Sequence, residues 1–223
     1  LGSSLGMDKE VAKRLLSAEG VPVAKYLVCR NKEGVSFQKV KAILGVPFFL
    51  KPANAGSSVG VHKVRNQKEY QTYLLDAYRY DTKVILEEMM KGQEVECSVL
   101  GGDKPMASIP GEVVVHHDFY SYEAKYLDEK GASLNIPARL SSSLTKKVQT
   151  LAMKVFQTLE CEGFGRVDFF VKKNGQVVVN EINTLPGFTA ISMYPKLWEA
   201  SGISAEELTD RLINLALKRY NER

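Results

Sequence analysis

The chain has 223 residues, 44% of them hydrophobic and 25% charged, with 30 basic against 26 acidic side chains and a formal net charge of +4. This is ordinary globular usage for one large domain or two small ones, and it excludes a disordered or collagen-like chain. Basic and acidic residues are mixed along the chain without a basic block, which favours a small anionic ligand over nucleic acid, and no apolar run reaches the roughly 18 to 20 residues that cross a bilayer.

The first residue is Leu1 rather than Met, and the N-terminal stretch lacks the basic flank, apolar core and cleavage site of a signal peptide. A cytoplasmic protein with a cut N-terminus is expected. Asp8 caps a helix whose apolar positions Val11, Ala12, Leu15 and Leu16 recur at helical spacing up to Gly20. A strand over Val23 to Cys29 and a turn at Asn31 to Gly34 follow, then a helix over Ser36 to Leu44 and the strand Val46 to Lys51. After a Gly/Ser loop come the strand Val59 to Val64, a helix over Gln67 to Tyr80 and the strand Lys83 to Glu88. From Glu94 the pattern changes to consecutive strands, Glu94 to Leu100, Met106 to Ile109 and Glu112 to His116. A polar, aromatic-rich loop over 117 to 133 precedes a helix from Ser142 to Leu159, a hairpin of Gly165 to Lys173 with Gln176 to Asn183, a loop over Thr184 to Thr189 and a helical C-terminus. Two α+β subdomains, residues 1–90 and 91–223, with a cleft between them, are the simplest architecture.

Three cysteines, Cys29, Cys97 and Cys161, show no CxxC spacing, so buried, reduced thiols are expected. With only His62, His116 and His117, a histidine-based triad or metal site has little material, and any metal should be hard and oxygen-ligated. The hairpin points the same way. If Asn174-Gly175 is a two-residue turn, Asp168 lies opposite Glu181 and Arg166 opposite Asn183, all on one face, with Val167, Phe169, Val171, Val178 and Ile182 on the core face. Opposed carboxylates repel. Either Mg²⁺ compensates them or Arg166 neutralises them as a salt-bridge cluster, and the hairpin alone weighs these equally.

The loop Lys51-Pro-Ala-Asn-Ala-Gly-Ser-Ser-Val-Gly60 is not a Walker A motif, because its lysine ends a strand instead of opening a helix. It reads either as a flap whose backbone N–H groups close over phosphate oxygens, or as a surface hairpin. Glu87 and Glu88 end an apolar strand and Glu94 begins the next, a place suited to adenine and ribose, though acids there are more often merely solvated. Phe119-Tyr-Ser-Tyr-Glu-Ala-Lys125-Tyr126 reads as an active-site lid.

These stretches, together with Met7-Asp-Lys9, Gly165-Arg-Val-Asp168 and Asn180-Glu-Ile-Asn-Thr-Leu-Pro-Gly-Phe-Thr189, resemble the D-alanine:D-alanine ligases of the ATP-grasp superfamily, in that family's order over nearly the whole chain. The resemblance implies an α+β ATP-grasp fold and ligation of two D-alanines through an acyl phosphate at the expense of ATP, for peptidoglycan synthesis. It implies Lys9, Lys51 and Lys125 on the ATP phosphates, Glu94 on the ribose, and Glu87, Glu88, Met89 and Phe119 around adenine. Asp168, Glu181 and Asn183 become ligands of Mg²⁺, with Mn²⁺ as the alternative. Ser57, Tyr126, Arg166, Gly187 and Ser192 fall around the substrates and the reacting carbonyl, with Arg166 and the Gly187 N–H stabilising an oxyanion. Tyr126 resembles the residue of enzymes that join two D-alanines, in contrast to the phenylalanine of those that form a D-lactate ester. The family carries a further N-terminal domain before Met7-Asp-Lys9, so this chain is expected to be the nucleotide-binding part of a homodimeric enzyme, with little or no turnover of its own. Another ATP-grasp carboxylate-amine ligase and a nucleotide-binding module without turnover are the alternatives.

Overall fold

Two antiparallel sheets carry the chain, and helices cover one face of each. The computed structural model describes residues 1–30, 34–115, 132–189 and 191–222. The smaller sheet, in the order β1-β4-β2-β3, is built from β1 (Tyr26–Cys29), β2 (Phe48–Pro52), β3 (His62–Val64) and β4 (Val84–Glu88). Phe48, Leu50, Val84 and Leu86 face α3 (Phe37–Leu44) and α4 (Gln67–Ala77), packing on Val40, Leu44, Tyr70 and Leu74. Both helices start where the sequence offers an acceptor: Ser36 Oγ takes the Lys39 N–H and Asn66 Oδ1 the Glu69 N–H. Because side chains alternate along a strand, burying Leu50 and Leu86 turns Lys51 and Glu87 to the opposite face. There they are diagonal neighbours, since Lys51 pairs with Ile85 and Phe49 with Glu87.

The larger sheet runs β10-β9-β5-β7-β8, with β6 (Met106–Ala107) attached to β5. Its strands are β5 (Gln93–Gly101), β7 (Gly111–Val115), β8 (Ala132–Asn135), β9 (Gly163–Val171) and β10 (Val177–Asn183). Val95, Cys97, Val99, Val167 and Phe169 pack against Val148, Ala152, Val155 and Phe156 of α5 (Ser142–Thr158). Ala12 and Leu16 of α2 (Lys9–Ala18), and Val21 after it, join this same core. The chain therefore begins on the larger sheet, crosses to build the smaller one, and returns. Asp8 is the expected cap of α2, accepting from the Glu10 and Val11 N–H groups at 3.1 Å. Beyond the other end of the sheet, Tyr194 and Trp198 of α6 (Met193–Ala200) and Leu208 of α7 (Ala205–Asn221) form a separate apolar cluster with Leu100.

Two elements depart from expectation for lack of local signal. A short helix, α1 (Gly2–Met7), forms from glycines and serines of low helix propensity. Strand β8 begins at Ala132, inside the stretch read as a loop, and is held by pairing with β7, Leu134 opposite Val113. The expected turn at Asn31 to Gly34 lies mostly outside the described residues.

The hairpin of β9 and β10 corrects the expected turn while keeping its consequence. Lys172 N–H donates to Gln176 O and Gly175 N–H to Lys172 O, both at 2.9 Å, so the loop has three residues, with Gly175 at φ +78°. Asn-Gly supplies the left-handed residue at the end of a longer loop, instead of forming a two-residue turn. Near the loop, Val178 then faces Phe170, and Val177 and Val179 face Val171 and Phe169. The pairing shifts between Val179 and Glu181, where one extra residue in β10 restores Asp168 opposite Glu181 and Arg166 opposite Asn183. Val178 is consequently on the face opposite the one expected, and Val177 and Val179 supply the core.

Candidate active site

The pairing of three strands lines up charge. Glu96 of β5 lies opposite Asp168 of β9, which lies opposite Glu181 of β10, and the next row is Ser98, Arg166 and Asn183. Val95, Cys97 and Val99 occupy the core face, so alternation places these polar groups on the other face. Arg166 answers the carboxylate row. Its Nε and Nη2 donate to Asp168 Oδ1 and Oδ2, both at 2.8 Å, and Nε is 2.9 Å from Glu96 Oε2. Burial works against the guanidinium charge, but Asp168 and Glu96 outweigh it and hold its pKa above the ordinary arginine value. A small cavity of about 50 Å³ is lined by Glu94, Glu96, Asp168, Asn180 and Glu181.

Lysines reach this face from the other sheet and from α2. Lys9 Nζ lies 3.4 Å from Glu181 Oε2 and donates at 2.8 Å to Ala55 O in the Gly/Ser loop, while Lys9 N–H donates to Ala53 O at 3.0 Å. Within that loop Ser57 (φ 51°) and Ser58 (φ 60°) both sit in the left-handed region, which costs non-glycine residues energy and is typical of segments shaped to meet a ligand. Gly60, at φ +67°, closes the loop where a side chain would come within 2.9 Å of both Pro52 and Tyr80.

Beneath Lys9 lies a buried cluster. Glu87 forms ion pairs with Lys13 Nζ, at 2.5 Å, and with Lys51 Nζ, and all three residues are less than a tenth exposed. Burial alone would raise the Glu87 pKa, but the two ammonium groups hold it below the ordinary carboxylate value. One carboxylate does not fully serve two lysines. Burial opposes the charge of Lys51, yet Glu87 and Glu181 together hold its pKa up; burial pushes Lys13 down, with Glu87 offsetting only part and Lys51 adding to the depression. A second buried knot pins the start of α2: Lys83 Nζ lies 2.5 Å from Asp8 Oδ2 and 3.1 Å from Glu10 Oε2.

These carboxylates make the fold acid-sensitive. Glu87 and Asp8 both titrate below their ordinary values, overcoming burial through Lys13 and Lys51 in one case and Lys83 in the other. Their contribution is therefore complete above the normal carboxylate range and is lost as pH falls through the lowered values. Urea denaturation midpoints should be level from pH 7 to about 5 and fall steeply below about 4. A midpoint unchanged at pH 3 would show that neither knot stabilises the fold.

A profile of the family described as D-ala D-ala ligase C-terminus matches residues 15–214. The chain belongs to this family. A D-alanine–D-alanine ligase of Oceanobacillus iheyensis is 53% identical over 221 residues, which cover 98% of this chain and 60% of that protein. Among solved structures, the D-alanine-D-alanine ligase from Coxiella burnetii matches with a TM-score of 0.86 at 38% identity, covering 99% of this chain and 59% of that one. The D-Ala:D-Ser ligase from Enterococcus faecalis matches with a TM-score of 0.88 at 37% identity, covering 96% and 63%. The chain thus spans about 60% of the length of the curated relatives it matches. Its α+β architecture is the ATP-grasp fold expected from the motifs.

Within this D-ala D-ala ligase C-terminal chain, Lys9, Lys51, Glu87, Glu94, Arg166, Asp168, Glu181 and Asn183 share one region. Asn183 Oδ1 accepts from Leu185 N–H at 3.1 Å, fixing the start of the loop that carries Gly187. Ser192 Oγ accepts from Thr189 N–H at 3.1 Å and lies 2.8 Å from where a Gly187 side chain would begin, so Gly187 and Ser192 form the far wall of that loop. Glu88 is elsewhere: its carboxylate accepts from Lys25 N–H at 2.8 Å and serves the β1–β4 edge, with half-buried Met89 next to it. Ser57 is exposed in its loop. Phe119, Lys125 and Tyr126, with the rest of the expected lid up to residue 131, lie outside the described residues. Lys13 and Glu96 are missing from the motif reading. Alternation with Val95 and Cys97 could have found Glu96, and a lysine on the apolar side of α2 was the signal for Lys13. All three thiols are buried and free; burial raises Cys97 to about 12 and Cys161 to about 11, which leaves them protonated and poor nucleophiles.

Proposed function

We propose that the chain binds Mg·ATP and provides the nucleotide and metal part of an enzyme that joins two D-alanines through an acyl phosphate, for peptidoglycan synthesis in the cytoplasm. The observation that carries this reading is that Lys9 reaches Glu181 of the Glu96–Asp168–Glu181 row, beside Arg166 and near enough to Lys51 for Glu181 to act on its charge, in a chain of this family. Lys9 and Lys51 bind phosphate oxygens as point charges, under the backbone amides of the Gly/Ser loop. Glu94 takes the ribose hydroxyls. Arg166 and the Gly187 N–H stabilise negative charge at the carbonyl under attack.

Asp168, Glu181 and Asn183 suit Mg²⁺. All three offer hard oxygen donors, and Asp168 and Glu181 line a cavity large enough for an ion, with Asn183 in the next row of the same face. Among the described residues no three His, Cys, Asp or Glu side chains are grouped to cage a metal alone, so water and phosphate would have to complete the ion's shell. The Arg166 contacts do not compete outright, because each carboxylate oxygen keeps a second lone pair. Such an ion supplies charge neutralisation for phosphoryl transfer. Relatives at 53% and 50% identity carry the D-alanine–D-alanine name against 37% for the D-Ala:D-Ser ligase, which supports D-alanine as the second substrate.

Calorimetry with a nonhydrolysable ATP analogue tests the reading. Binding in magnesium is expected, and Asp168→Asn should weaken it about tenfold there while changing magnesium-free binding little, one charge-assisted contact being worth about 1.5 kcal/mol or more. No heat at millimolar analogue would overturn the function. Equal losses with and without magnesium would favour Arg166 as the sole partner of Asp168.

A further inference from the structure

Lys13 is 2% exposed, on the face of α2 that otherwise buries Ala12 and Leu16. A lysine is held there only by strong partners. Its Nζ is 2.5 Å from Glu87 Oε1 on β4 and makes a long contact, 3.4 Å, to Asn180 O on β10. That carbonyl belongs to the extra residue that restores Asp168 opposite Glu181. Lys13 is thus placed between Glu87, the β4 carboxylate that also pairs with Lys51, and the bulge that sets the carboxylate register. It lies beneath Lys9, one helical turn along α2, while Lys9 itself reaches Glu181 and the Gly/Ser loop.

The charge arithmetic gives this placement a consequence. Glu87 divides its two oxygens, Oε1 to Lys13 and Oε2 to Lys51. With Lys13 present, the buried cluster carries one more positive than negative charge. Without it, Lys51 and Glu87 form a self-neutralising pair, and an incoming phosphate must compete with that carboxylate in a poorly screened setting.

We propose that Lys13 is a positioning residue for nucleotide binding: by sharing Glu87 and holding the Asn180 bulge, it leaves Lys51 with uncancelled positive charge towards the cleft, without touching the nucleotide itself. The inference rests on the Mg·ATP reading and adds to it a requirement for a residue outside the recognised motifs.

Lys13→Met and Lys13→Gln test it, compared with the unaltered chain by calorimetry against two probes, the magnesium complex of the imido analogue of ATP and uncharged adenosine. Both variants should remain folded, since each leaves Lys51 paired with Glu87. The imido analogue should bind at least tenfold more weakly to both, with adenosine affinity within twofold. Parallel losses for both probes would make Lys13 a packing residue and overturn the proposal, as would unfolding of both variants or an unchanged affinity for the analogue. A Lys13→Gln variant that binds like the unaltered chain would overturn the charge argument. If the unaltered chain binds neither probe, the Mg·ATP reading fails first and this inference with it.

Discussion

Glu87→Gln is expected to destabilise the fold by about 3–5 kcal/mol, the range found when one partner is removed from a buried ion pair. Lys13 and Lys51 would lose their shared carboxylate while remaining buried, and an amide oxygen can accept from only part of that pair without cancelling either charge. Such a loss is a large fraction of the roughly 5–15 kcal/mol that holds a typical domain together. Urea denaturation near pH 7 would measure it. Adding Lys13→Met to Glu87→Gln should return part of the loss, with a coupling of about 0.5–3 kcal/mol, because one of the stranded charges goes. A Glu87→Gln cost below about 1 kcal/mol, with no coupling to Lys13, would mean that water reaches the cluster and that burial does not set its energetics.

Arg166→Met should be comparably damaging, and in a way that magnesium partly offsets. The side chain neutralises Asp168 through two hydrogen bonds and Glu96 through an ion pair, within a row that also holds Glu181. Removing it leaves three carboxylates side by side on adjacent strands, at an expected cost of about 3–5 kcal/mol. If Asp168 and Glu181 accept Mg²⁺, the variant gains more from added magnesium than the unaltered chain does. Saturation at about a hundred times the dissociation constant would return roughly 2.7 kcal/mol. Denaturation with and without millimolar magnesium decides between the two readings of the hairpin. A variant that magnesium leaves equally unstable would support a salt-bridge cluster and remove the metal from this face. Arg166→Lys should recover less than the full stability, since an ammonium cannot bridge both oxygens of Asp168 as the guanidinium fork does.

Much of the site was legible because its residues sit where local rules are strong. Asp8, Ser36 and Asn66 are side-chain acceptors ahead of amphipathic stretches, and each caps the helix that follows. Arg166 and Asp168 alternate cleanly with Val167 and Phe169, so their common face could be read directly. Val177, Val178 and Val179 gave no such alternation. Three consecutive valines fit either face, and the one local sign of the bulge is Asn180, which an unbroken pairing from a two-residue turn would put on the core face together with Val178. Lys13 was obscure for another reason. Its place on the apolar side of α2 marks it as unusual, but its role depends on Glu87, 74 positions later, and on a carbonyl freed by that same bulge, and neither partner is named by local sequence. Strand β8 likewise exists through its partner β7, not through its own composition.

The hairpin tip could be closed in a second way. A two-residue turn at Asn174-Gly175 without the bulge would use the same number of residues and deliver the same pairing of Asp168 with Glu181. In the two-residue arrangement, however, alternation would put Val178 and Asn180 on the core face and turn Val177 and Val179 outward, exchanging two buried valines for one valine and an asparagine. Side-chain burial therefore favours the bulge, which keeps the Asn180 amide out of the core, and the backbone holds it there: the left-handed Gly175 closes the longer loop, the Val179 N–H bonds to Pro22 O, and the Asn180 carbonyl turns to Lys13. Because both closures pair Asp168 with Glu181, a change of loop type at the tip leaves the register of the charged row where it is.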